Sequence, residues 1–182
     1  VLFTLSSLIG WGIQSLLHAQ HNWGSYIGTA LALGILYVVI YGSTRGFSQL
    51  KIRQVEYNSP DVPEAFDGYK IVQFSDVHLP SFDNDEELLA KSMETILEQN
   101  ADMIVFTGDL QNTHYSQVER HASTLSRLHA KDGVYTIMGN HDYSDYVKAS
   151  LSEKKENIKH TMDAQRSLGW RMLNNENVKI KR

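Results

Sequence analysis

The sequence predicts an α/β domain with parallel strands in the order β-α-β-α-β, preceded by two transmembrane helices. Three observations lead to this prediction. The first 44 residues contain no Lys, Arg, Asp or Glu and are largely apolar. Beyond them, short β-prone runs alternate with amphipathic helical stretches, the pattern of parallel strands joined by helical crossovers. Three of those runs end in polar residues, as strands that lead into a ligand site do.

Length and composition set limits on the protein class. The 182 residues leave room for one ordinary domain and an appendage. The net charge of -4 argues against nucleic acid as the main partner. The absence of cysteine excludes disulfides and thiolate metal sites within this sequence. The chain starts at Val1 and ends in an alternating "VKIKR", so we expect a fragment that is open at both ends.

Residues 1–43 are predicted to form a membrane anchor of two helices. The uncharged segment 24–42 would span about 28 Å as a helix, close to the ~30 Å hydrocarbon core. Aromatic residues flank it, as they do at membrane interfaces. The alternative is a core helix buried in protein. The more polar run 1–17 is interpreted as a second spanning helix, and Gly24 with Gly28 forms a G-x-x-x-G that would permit close helix contact.

Residues 44–50 are interpreted as a linker and 51–182 as the domain itself. Arg45, Lys51 and Arg53 follow the anchor directly, so the positive-inside rule places the domain in the cytoplasm. Strands are expected at 51–57, 69–74, 102–108, 133–139 and near 171–182, and helices at 85–100, 116–130 and 159–170.

Polar residues follow three consecutive predicted strands. They are Asp76 and His78, then Asp109, then Asn140, His141 and Asp142. Each group alone is more often a turn or a solvated surface feature than a functional site. Because the carboxyl ends of parallel strands lie along one edge of a sheet, all three groups are expected to converge there. Their conjunction, in this order, points to a site.

The chemistry of these side chains suits two divalent metal ions. Oxygen and imidazole ligands without thiolates favour Mn, Fe or Zn. A strand-like backbone would put Asp76 and His78 on the same side, where both could bind one ion. Asp109 could bridge two ions about 3.5–4 Å apart, and Asn140 would add a neutral ligand. Gly108 and Gly139, just before Asp109 and Asn140, would allow the tight turn that brings the backbone close to the ions.

The motifs "SDVH", "GDLQN" and "GNHD" together resemble the first three motifs of the calcineurin-like metallophosphoesterases. The resemblance implies the N-terminal half of a two-sheet β-sandwich flanked by helices. The apolar N-terminus, "PEAFDGYKIVQFSD" and "GNHDYSDY" are similar to a membrane-associated bacterial branch, which includes hydrolases of UDP-diacylglucosamine pyrophosphate. A multi-pass protein of the bacterial inner membrane, with a phosphoester or lipid-linked pyrophosphate as substrate, is the implied setting.

The resemblance also implies roles for the residues. Asp76 and His78 would hold one metal, Asp109 would bridge both, and Asn140 would hold the second. His141 would act as general acid or stabilise the leaving group, with Asp142 orienting it. A metal-bound hydroxide would attack phosphorus in line.

One departure from the family pattern affects the expected activity. The later Gly-His and Gly-His-x-His motifs are absent from this sequence, so we expect the chain to bind metals poorly and to be inactive alone. A catalytically incomplete, membrane-tethered binding or scaffold protein that keeps the fold is the alternative. Of the other histidines, His114 could line the cleft, whereas His121 and His129 are interpreted as surface positions on a helix.

Overall fold

The computed structural model describes residues 1–18, 20–46 and 50–182. Contacts divide the chain into two compact units, Val1–Arg53 and Gln54–Arg182. Part of the predicted linker, residues 47–49, lies outside the described residues.

The first unit is a helical hairpin of α1, Leu2–Leu17, and α2, Trp23–Tyr41, which continues as a π turn to Gly46. Small residues form the contact between the two helices. A side chain at Gly24 would overlap the backbone of α1, and one at Gly28 would overlap Ser6. The hydroxyls of Ser7 and Ser25 lie 2.9 Å apart across the same contact. The prediction that the G-x-x-x-G permits close helix contact is therefore confirmed.

One helix among the described residues is long and apolar enough to cross a membrane, namely Trp23–Gly46, with a mean hydropathy of 1.7. Only 6% of its most apolar stretch is buried within the protein, which disfavours a core helix. The prediction of two spanning helices needs correction, because α1 has 16 residues and is only about 24 Å long.

The second unit contains a four-stranded parallel sheet in the order β1-β2-β3-β4. This is the parallel α/β arrangement expected from the sequence. The strands are β1 Ile71–Phe74, β2 Met103–Phe106, β3 Val134–Thr136 and β4 Arg171–Met172. The helices are α3 Glu86–Leu97, α4 Ser116–Arg120, α5 Ala122–Leu125 and α6 Leu151–Ser167, with 3₁₀ turns at Glu64–Phe66 and Leu79–Phe82.

Several element boundaries differ from the predictions. Residues 51–57 form no strand, because this exposed segment has no neighbouring strand with which to pair among the described residues. The helix predicted at 116–130 breaks at His121 into α4 and α5. Helix α6 begins eight residues earlier than predicted, because Ser150 and Glu153 form a capping box at its start. The strand predicted near 171–182 is limited to the two residues of β4, Arg171–Met172.

All four helices of the second unit contribute to one hydrophobic core against one face of the sheet. The strands supply Ile104, Phe106 and Val134 to this core, and Trp170, just before β4, packs with them. On the opposite face Ile71 remains 55% exposed. The described residues thus form a single sheet with one covered face, and they do not include a second sheet of the predicted sandwich.

His121 is buried rather than on the surface, and its interpretation as a solvated helix position is wrong. It is 2% exposed and lies between two carboxylates. Its Nε2 is 3.1 Å from Asp83, and its Nδ1 contacts Glu86, which also accepts a hydrogen bond from Thr124. Arg120 pairs with the other oxygen of Asp83. This cluster ties the turn after His78 to the junction of α4 and α5.

The charge of Asp83 gives a pH-dependent contribution to stability. The hydrogen bond from His121 lowers the pKa of Asp83 below its ordinary value of 3.8, and Arg120 acts in the same direction. Folding lowers this pKa. The ionised carboxylate therefore stabilises the fold at pH values above the pKa of Asp83 in the unfolded chain, and this contribution is lost as the pH falls through its pKa in the folded protein.

Thermal unfolding should therefore show a lower Tm for Asp83→Asn than for the wild type at neutral pH, and no difference at about pH 2. Exposed Asp61→Asn is the control, and a Tm difference for Asp83→Asn that persists in acid would contradict this account.

Candidate metal centre

The three polar strand ends converge at the carboxyl edge of the sheet. Backbone hydrogen bonds continue past the strands and join the loops. The N–H of Asp76 donates to the carbonyl of Gly108 at 3.0 Å, and the N–H of His78 donates to that of Asp109 at 3.1 Å. The N–H of His141 donates to Asp109 Oδ1 at 2.9 Å. The loops after β1 and β3 are therefore both tied to Asp109.

Two glycines allow the loops after β2 and β3 to touch. Gly108 has a φ of +104°, a conformation that favours glycine. A Cβ on Gly108 would overlap the backbone of Gly139, and a Cβ on Gly139 would overlap Asp109. The close approach seen here joins the two loops, and the expectation that these glycines bring the backbone close to metal ions stays a prediction.

His78, Asp109 and His141 form a group that could hold a metal ion. One ligand atom from each residue lies within 4.8 Å of the others. The two imidazole rings meet edge to face, with centroids 4.8 Å apart. Asp109 is 9% exposed and the two histidines are half-buried. Two imidazole nitrogens and a carboxylate oxygen fit Mn, Fe or Zn.

The backbone at the predicted ligands is left-handed, not strand-like. The φ angles are 55° at Asp76, 48° at His78 and 62° at Asp109. This corrects the expectation that an extended backbone aligns Asp76 with His78. The two side chains still share a side, since Asp76 Oδ1 lies 3.9 Å from His78 Nε2. Asp and His adopt this conformation more readily than most residues, but it is still uncommon outside glycine and is concentrated at functional sites.

Asn112 contacts both histidines, a role that the sequence analysis missed. Its Oδ1 lies 2.7 Å from His78 Nδ1, and its backbone carbonyl lies 3.1 Å from His141 Nδ1. Because both Asn112 atoms are acceptors, both Nδ1 atoms must carry the proton, which leaves each Nε2 available for a metal or a substrate. The "GDLQN" motif contained this residue, but nothing in its spacing indicated the contacts.

Asp142 is fully buried and binds backbone rather than the imidazole of His141. Its carboxylate accepts N–H groups from Asp109 at 2.8 Å, Gly139 at 3.0 Å, Leu110 at 3.2 Å and Gln111 at 3.3 Å. The predicted role of Asp142 is corrected accordingly, because the partner of the His141 Nδ1 is Asn112. Burial raises the pKa of Asp142, while the amide hydrogen bonds oppose that shift. Asp142 holds the two loops together.

Asn140 and His114 lie at more exposed positions. The amide nitrogen of Asn140 donates to the hydroxyl of Tyr146 at 3.1 Å. His114 is exposed and contacts Ser116 and the ring of Tyr115.

Asn112→Ala should weaken metal binding without unfolding the protein. The substitution removes the side-chain Oδ1 that bonds to His78 Nδ1. It keeps the backbone carbonyl that bonds to His141 Nδ1. Loss of such an outer partner lowers metal affinity by roughly 10–100-fold. Titration of the full-length protein with Mn²⁺ checks this, with exposed Thr113→Ala as the control. Equal Mn²⁺ affinity of Asn112→Ala and wild type would contradict the role given to Asn112.

Comparisons with known proteins agree with this geometry. Residues 69–178 match the family model "Calcineurin-like phosphoesterase". The chain is 38% identical over 113 residues to the uncharacterized metallophosphoesterase YkuE of Bacillus subtilis, an alignment that covers 60% of this chain and 39% of that protein. It is 33% identical over 122 residues to the transmembrane protein with metallophosphoesterase domain of Danio rerio, and that alignment covers 66% of this chain and 28% of that protein.

A third relative has a named reaction. The chain is 33% identical over 110 residues to the UDP-2,3-diacylglucosamine pyrophosphatase LpxG of Chlamydia trachomatis, covering 60% of this chain and 33% of that protein. The chain thus spans between 28% and 39% of the length of these three relatives. The match over residues 69–178 contains all three strand-end motifs. This chain belongs to the calcineurin-like phosphoesterase family.

Proposed function

We propose that this chain belongs to a metal-dependent phosphoesterase that hydrolyses a phosphodiester or pyrophosphate bond on a lipid-linked substrate. The convergence of His78, Asp109 and His141 within 4.8 Å at the carboxyl edge of the sheet is the observation that carries the proposal. The family membership supports it.

Two divalent ions, of Mn, Fe or Zn, are proposed as cofactors. Asp76, His78, Asp109 and Asn140 are the residues that would hold them. When bound, such ions lower the pKa of a water molecule and offset the negative charge of the phosphate. Asn112 keeps the Nε2 of His78 free for an ion by accepting a hydrogen bond from the Nδ1–H of that imidazole.

His141 is proposed as the residue that handles the leaving group. Its Nδ1 is engaged by the Asn112 carbonyl, so Nε2 is the atom that can give a proton to the departing oxygen or stabilise its charge. Its backbone N–H is fixed on Asp109, which keeps the imidazole beside the carboxylate that binds the metals. Asp142 acts one step further away, by holding the loops of Asp109 and Asn140 together.

A lipid-linked substrate and a membrane location are supported by two observations. The helix Trp23–Gly46 is long and apolar enough to cross a bilayer. One relative is named for a pyrophosphatase reaction on UDP-2,3-diacylglucosamine, a lipid-bearing nucleotide. We propose the bacterial inner membrane as the location, with a multi-pass anchor and a cytoplasmic domain.

Hydrolysis assays on the full-length protein test this proposal. With Mn²⁺ present, it should hydrolyse bis-(p-nitrophenyl) phosphate, and EDTA should abolish the reaction. UDP-2,3-diacylglucosamine should be cleaved faster than UDP-N-acetylglucosamine, which has the same pyrophosphate without the acyl chains. Equal rates would contradict a lipid-linked substrate. No metal-dependent hydrolysis of any of the three would favour the binding or scaffold alternative.

A further inference from the structure

We propose that Tyr146 is a positioning residue of this site, which fixes both the side-chain amide of Asn140 and the ring of His141. This inference rests on the proposed function, which assigns Asn140 to a metal ion and His141 to the leaving group. Tyr146 comes from the loop between β3 and α6 and contacts these two residues directly.

The hydroxyl of Tyr146 contacts the side-chain amide of Asn140. It accepts a hydrogen bond from Asn140 Nδ2 at 3.1 Å. An amide group donates only through nitrogen and binds cations only through oxygen. With Nδ2 committed to Tyr146, Oδ1 is the atom left for an ion. The Asn140 side chain is exposed, so packing alone does not fix its amide.

The ring of Tyr146 holds the imidazole of His141 from one side. The two ring centroids are 4.6 Å apart with an interplanar angle of 32°. His78 meets the same imidazole edge to face at 4.8 Å, and Asn112 accepts its Nδ1–H. His141 is therefore fixed by three partners, one of which is Tyr146.

Packing alone does not explain the position of Tyr146. The residue is 67% exposed, so burial of its ring contributes little to stability. Its loop is nonetheless anchored firmly. Ser144, 1% exposed and with a φ of +61°, accepts a hydrogen bond at 2.6 Å from Asn157 Nδ2 on α6. The same amide nitrogen of Asn157 donates to the carbonyl of Thr113 at 3.0 Å, which ties this loop to the one after β2.

Two substitutions separate the two contacts of Tyr146. Tyr146→Phe removes only the hydroxyl, and Tyr146→Leu removes the hydroxyl and the aromatic ring. Tyr143→Phe is the matched control, because Tyr143 lies in the same loop and is 40% exposed. All variants are made in the full-length protein, and unfolding midpoints equal to that of the wild type show that each one folds.

Calorimetric titration with Mn²⁺ alone gives the affinity of each metal site and so tests the contact between Tyr146 and Asn140. Tyr146→Phe should weaken one of two Mn²⁺ sites by about 10-fold, as loss of an outer partner does, and leave the other unchanged. In an Asn140→Ala background, Tyr146→Phe should have no further effect, because the amide that the hydroxyl contacts is absent. Tyr143→Phe should bind as the wild type does.

Hydrolysis of bis-(p-nitrophenyl) phosphate at saturating Mn²⁺ measures the contact with His141. Tyr146→Leu should lower kcat by about 10-fold with little change in KM, while Tyr146→Phe should keep kcat near the wild-type value. Two Mn²⁺ sites of wild-type affinity in Tyr146→Phe would overturn this inference and leave the proposed function intact. No Mn²⁺ binding by the wild type would instead overturn the proposed function.

Discussion

Replacement of Asp109 by Asn is expected to abolish metal-dependent hydrolysis by the full-length protein, with a loss of about 10³-fold or more in kcat, as when a main transition-state stabiliser is removed. The carboxylate lies within 4.8 Å of ligand atoms of both His78 and His141, and its negative charge is what an amide lacks. Asparagine keeps an Oδ1 for the N–H of His141 and tolerates the left-handed backbone at this position. The loss would therefore reflect charge rather than folding. Hydrolysis of bis-(p-nitrophenyl) phosphate with saturating Mn²⁺ measures it.

The control for this experiment is Asp145→Asn, which removes an exposed carboxylate from the loop after β3. It should retain the activity of the wild type. Hydrolysis by Asp109→Asn at a rate near that of Asp145→Asn would show that the site has been assigned to the wrong carboxylate.

Replacement of Asp142 by Ala is expected to lower the free energy of unfolding by about 3–5 kcal/mol, because several N–H groups lose their acceptor at roughly 1–3 kcal/mol each. Asp142 is 0% exposed and accepts hydrogen bonds from the N–H groups of Asp109, Leu110, Gln111 and Gly139. Without the carboxylate these buried donors have no acceptor, and each unpaired donor destabilises the folded state. Urea unfolding of the full-length protein gives the free energy.

Hydrogen exchange localises the effect of Asp142→Ala. The amides of residues 109–111 and 139 should lose protection, whereas those of β2 should change only with global stability. Asp145→Ala, in the same loop but exposed, should leave unfolding and exchange unchanged. If Asp142→Ala unfolds at the urea concentration of the wild type, the carboxylate does not hold the two loops together.

The order of elements and the position of the site could be predicted from sequence. Short apolar runs before "SDVH", "GDLQN" and "GNHD" become β1, β2 and β3, and their polar endings meet at one edge because parallel strands place their carboxyl ends together. Leu89, Met93, Val118 and Leu125, spaced as one face of a helix requires, all lie in the core. Periodicity fixes such faces before any tertiary contact is known.

Features that depend on contacts between distant segments could not be predicted. The burial of His121 follows from Asp83 and Glu86, which are more than 30 residues away in the chain. The two bonds from Asn112 to His78 and His141 depend on a side-chain rotamer and a loop path that no spacing rule describes. The left-handed backbone at Asp76 and His78 is imposed by their bonds to Gly108 and Asp109 on the neighbouring loop.

Metal stoichiometry is the most direct measurement of the central claim, that these strand ends bind two divalent ions through a shared carboxylate. Titration of the metal-free, full-length protein with Mn²⁺, followed by electron paramagnetic resonance, should show two ions per chain with exchange-coupled spectra. In Asp109→Asn the coupling should disappear, because the shared ligand is lost. Absence of saturable Mn²⁺ binding, or coupled spectra that Asp109→Asn does not alter, would contradict this account of the site.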